Sequence, residues 1–80
     1  MNKPNLYKKI DILILKLRDS GNIKNAEILN HLLHKVAWTT SSELLEKLLV
    51  EINNIDLEKM DHEITTLINN IRLEITRLLK

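Results

Sequence analysis

Three histidines and a scatter of carboxylates are the residues of this 80-residue chain most suited to chemistry. Glu27, His31 and His34 fall on one face of a helix, which is a donor set suited to a metal ion. A single helix offers too few ligands, however, and His62, with Asp61 and Glu63 beside it, belongs to a different helix. The spacing fits neither His-Glu-x-x-His nor the Glu-x-x-His of di-iron bundles. The three residues read as part of a solvated polar arc, and no metal or other cofactor is expected.

Acid–base and nucleophilic catalysis fare no better. A working general acid needs a carboxyl in a dry pocket, whereas Glu58 and Asp61 fall in the opening turns of a helix, where the dipole favours the ionised form. Ser20, Ser41 and Ser42 have no histidine close in sequence and no glycine-rich elbow. One glycine cannot build a phosphate cradle, and without cysteine there are no disulfides and no thiolate chemistry. The expectation is a protein that is not an enzyme and has no small-molecule substrate.

The elements that would carry these residues are helices. Leu and Ile fill 27 positions, Trp38 and Tyr7 are the only aromatics, and Pro4 and Gly21 are alone of their kinds. Such a composition favours helix over sheet. The spacing predicts an all-α compact bundle of three to four antiparallel helices, about 5–19, 23–38, 41–53 and 57–79, making one domain over 1–80. Pro4 suits the first turn of helix one. That helix carries Leu6, Ile10, Leu13, Ile14 and Leu17 on its main face, with Ile12 and Leu15 on the opposite side. Ser20-Gly21-Asn22 ends it, Gly21 taking the left-handed conformation and Asn22 capping the next helix. Helix two presents Ala26, Ile28, Leu29, Leu32, Leu33, Val36 and Ala37, and Trp38 plugs the corner before helix three.

Thr40-Ser41-Ser42-Glu43 is a capping box that starts helix three. Asp56 is placed to cap helix four, with Ile55 and Met60 as a hydrophobic staple; the alternative is one bent helix from 41 onwards. Ile64, Ile68, Ile71, Ile75 and Leu78 are spaced 4, 3, 4, 3, the seam of a helix that lies along other helices. At about 23 residues helix four would outrun its neighbours. Ile71, Ile75 and Leu78 then form one uncovered strip, and Ile12 and Leu15 a second. Leu73 and Val50 also fall off their apolar faces.

Net charge is +1, but residues 1–25 carry +4, 26–63 carry −5 and 64–80 carry +2. Opposite-sign segments in a small bundle complement one another as neighbouring helices. The alternative use of the basic segment is nucleic-acid contact, with helices two and three as a helix–turn–helix. The outer arc of helix three, Glu43, Glu46, Lys47 and Glu51, would repel phosphate, so nucleic acid is not the partner expected. No apolar run approaches the roughly 18–20 residues that span a bilayer, and no cleavable leader is evident. The chain thus reads as cytoplasmic, with an Asn, Ile and Lys content that suits an AT-rich bacterial or phage genome. The function expected is a small non-enzymatic protein-interaction module. Ile12, Leu15, Ile71, Ile75 and Leu78 are its candidate face, and a second copy or another protein its partner.

Overall fold

The computed structural model describes residues 5–36 and 40–79. Four α-helices form an all-α bundle: α1 (Asn5–Asp19), α2 (Ile23–Asn30), α3 (Ser41–Asn53) and α4 (His62–Leu78). A π-helical turn, His31–Lys35, extends α2, and a 3-10 turn, Leu57–Lys59, precedes α4. No strand occurs among the described residues, and no helix there is long and apolar enough to cross a membrane.

The helix ends follow from identifiable residues. Past α1, Gly21 adopts φ +89°, a conformation costly for any residue with a Cβ. The Asn22 amide reaches back to the Leu17 carbonyl (2.8 Å) and the Gly21 amide to that of Arg18 (3.2 Å). These two bonds make a Schellman closure. Asn22 does not cap α2 through its side chain. Its amide donates instead to Ser20 Oγ (2.8 Å) and Met60 Sδ (3.5 Å), which ties the α1–α2 corner to the segment before α4. At α3 the Glu43 amide donates to Thr40 Oγ1 (3.2 Å), as the capping-box spacing requires.

Two boundaries differ from the periodicity. The α-helical part of α2 stops at Asn30 and the chain widens into a π turn, a register in which each amide bonds one residue further back. Leu32 and Leu33 still pack on the core, but Val36 is extended (φ −101°, ψ 133°) and ends the helix before 38. Ala37 and Trp38, expected on its arc and at its corner, lie outside the described residues, as does Pro4.

Helix four also starts later than expected, and α3 and α4 are separate helices. Asp56 caps only the 3-10 turn, accepting from the Glu58 amide (3.1 Å). Asp61 is the cap of α4, accepting from the Ile64 amide (2.9 Å). Seventeen residues give about 25 Å of helix, inside the 32 Å long dimension of the bundle.

Helix α1 packs between α2 and α4, and α3 closes the opposite side against α2, its π turn and α4. The core is aliphatic, with Leu6, Ile10, Leu13 and Leu17 of α1 meeting Leu29, Leu48, Ile52, Ile68, Ile71 and Ile75. Among the described residues it buries no polar or charged side chain.

Candidate interaction face

The five residues expected at an interface do not come together. Ile71 and Ile75 are fully buried and are core residues of the chain's own bundle. The expected overhang does not exist: with α4 beginning at His62, the antiparallel α1 runs alongside it and covers this face. Leu78, the last residue of α4, is 56% exposed. Ile12 and Leu15 are 47% and 58% exposed, as the two-faced pattern of α1 predicts. Leu73 and Val50 are exposed singly on the outer sides of α4 and α3.

Ion pairs fix the directions of the helices flanking α1. Lys9 pairs with Glu74 and Lys16 with Glu63. Rising numbers on α1 meet falling numbers on α4, so the two run antiparallel. On the other flank Arg18 pairs with Glu27 (3.1 Å), and a hydrogen bond joins His34 Nε2 to Asp11 Oδ1 (2.6 Å), setting α2 and its π turn antiparallel to α1 as well. The hydrogen bond from Lys16 to Glu63, more than any other cause, raises the lysine's pKa above its ordinary value.

Between these flanks lies the outer face of α1. Lys8, Ile12, Leu15 and Asp19 all stand exposed on it, spaced 4, 3, 4, which puts them on one line along a helix. On its α4 side Ile12 joins Lys16, Leu67 and Asn70 around an open groove of about 370 Å³. Residue-by-residue hydropathy singles out Ile12 and Leu15 and passes over Lys8 and Asp19. The same 4-3-4 spacing that marks the seam of α4 would have found them.

The candidate catalytic and ligand groups have other duties. Glu27 holds Arg18, His34 holds Asp11, Asp61 caps α4 and Glu63 holds Lys16. No cluster of three or more potential metal donors occurs among the described residues. On α3, Glu43, Glu46 and Lys47 face outward around Val50, an acidic surface where a DNA-reading helix needs a basic one.

No protein-family model, curated protein or solved structure matches the chain. The fold defines its class: a small all-α bundle, with four α-helices among the described residues.

Proposed function

We propose that the protein is a small non-enzymatic helical module whose work is to bind protein, and that it binds itself. One observation carries this reading: α1 is apolar on both sides. Its inner face is core, while Ile12 and Leu15 stand about half exposed in mid-helix on the outer one. Single exposed apolar residues are commonplace. Two on adjacent turns of one stripe, beside a groove that adds Leu67, form a surface suited to a second helix.

Nucleic-acid binding has less support. Three cations of the basic N-terminal segment, Lys9, Lys16 and Arg18, are engaged by Glu74, Glu63 and Glu27. Paired cations have little left to offer a phosphate backbone.

The test is light scattering after size exclusion with wild type and Leu15→Glu. Wild type should approach twice the chain mass at roughly 1 mM, where a dimer with Kd near 100 µM is mostly assembled. Leu15→Glu should stay monomeric and folded, since the side chain it replaces lies outside the core. A wild type that remains monomeric at that concentration refutes the reading.

A further inference from the structure

We infer that the second copy binds with its α1 antiparallel to the first across a twofold axis, Ile12 of each chain opposite Leu15 of the other. This rests on the self-association reading above and adds the face, the direction and the register.

The stripe Lys8, Ile12, Leu15, Asp19 is self-complementary. Its positions are symmetric about the midpoint between Leu13 and Ile14, so reversing the helix exchanges 12 with 15 and 8 with 19. Twofold symmetry places the same patch on both sides of an interface, so each contact occurs twice. An antiparallel pair therefore stacks Ile12 on the partner's Leu15 in two places. At both ends it also sets Lys8 against the partner's Asp19. A parallel pair would oppose Lys8 to the partner's Lys8 and Asp19 to the partner's Asp19, two like-charge contacts. The charges select the antiparallel arrangement.

Three further features agree. Among the described residues neither Lys8 nor Asp19 is in an ion pair; the charge of Asp19 reaches Lys16, but that lysine is already held by Glu63. Asp19 ends α1, where the helix dipole disfavours an anion, and a lysine brought there by the second copy offsets that. The cations flanking the stripe on its α4 side, Lys9 and Lys16, are already neutralised by Glu74 and Glu63. They add no bare repulsion when two copies meet. With two apolar residues per copy the interface belongs to the small, transient class, with Kd on the order of 100 µM.

The experiment is sedimentation equilibrium on the full chain at up to roughly 1 mM, comparing wild type, Lys8→Glu, Asp19→Lys and the double variant. Both positions are exposed, and circular dichroism checks that each variant remains folded. Each single reversal turns both end contacts from attraction to repulsion and should weaken the dimer about tenfold. The double variant restores opposite charges at both ends, and its Kd should return to within about threefold of wild type. A dimer indifferent to the single reversals, or a double variant as weak as the singles, overturns the antiparallel register while self-association stands. A monomeric wild type overturns both.

Discussion

Replacing Ile75 decides whether the apolar seam of α4 belongs to the chain's own core. The side chain is fully buried, one turn beyond Ile71, on the face of α4 that meets the core. Truncation to alanine in such a site costs about 2–5 kcal/mol, the transfer loss of the removed carbons plus the cavity they leave. A domain of this size has roughly 4–12 kcal/mol of stability in all, and each kcal/mol moves its midpoint by about 4–8 °C. Ile75→Ala should therefore melt at least about 10 °C below wild type, or be unfolded at the outset. Ile75→Val keeps the measurement readable if it is: its cost of about 0.5–1.5 kcal/mol predicts a fall of roughly 2–12 °C. Leu78→Ala, at a position 56% exposed, is the control and should stay within about 0.5 kcal/mol of wild type. The assay is thermal melting by circular dichroism at about 10 µM chain, where a dimer with Kd near 100 µM is dissociated. Equal, small shifts for Ile75→Ala and Leu78→Ala would refute the core assignment. So would an Ile75 effect that disappears as chain concentration falls.

Three further substitutions test the local readings. Thr40→Ala removes the acceptor for the Glu43 amide and should cost about 1 kcal/mol, visible as a fall of roughly 4–8 °C in the melting midpoint. Gly21→Ala meets no neighbouring atom, so its cost is the backbone strain of a positive φ alone, about 1–2 kcal/mol by urea titration, and Gly21→Asn should recover part of it. The pKa of Lys16 is raised chiefly by its hydrogen bond to Glu63. Its contribution is therefore complete below the ordinary lysine pKa and is lost as pH rises through the raised one. The urea midpoint of wild type over Glu63→Gln should hold at about pH 8 and shrink towards about pH 12.

The end of α1 and the start of α3 were legible because each depends on one residue type. Gly21 is the only residue that takes φ +89° at little cost, and Thr40 stands three residues before Glu43. The start of α4 was not legible, for a specific reason. Leu57, Met60, Ile64, Leu67 and Ile71 keep helical spacing straight through the break at Met60 and Asp61, so periodicity runs across it without a fault. Two aspartates five residues apart both cap, one a 3-10 turn and one the helix, and the sequence favours neither. The misplaced start then made α4 too long and put Ile71 and Ile75 outside a core that in fact encloses them. Charge segregation led to the expectation of complementary neighbouring helices without naming pairs; Lys16–Glu63 and Arg18–Glu27 join the basic first segment to the acidic second. It did not foresee Lys9–Glu74, because Glu74 is the one acid of a segment that is positive overall.

The burial of Ile71 and Ile75 changes what association has to accomplish. A chain of this length often needs a second copy merely to complete a core, and an uncovered seam on α4 would have made folding depend on dimerisation. Instead α1, α2, α3 and α4 all contribute to one core within a single chain. Outside that core, apart from Ile23, Val50, Leu73 and Leu78, lies the stripe on α1, whose two apolar residues stand between Lys8 and Asp19. Such a patch is far smaller than those that drive indiscriminate aggregation, and the charges at its ends penalise any partner docked in the wrong direction. On the self-association proposed above, folding and association are separate equilibria. Leu15→Glu should abolish the dimer and leave the melting temperature at 10 µM unchanged within about 2 °C, because the position supports the interface and not the core. A destabilised Leu15→Glu monomer would mean that the outer face of α1 is part of what holds the bundle together.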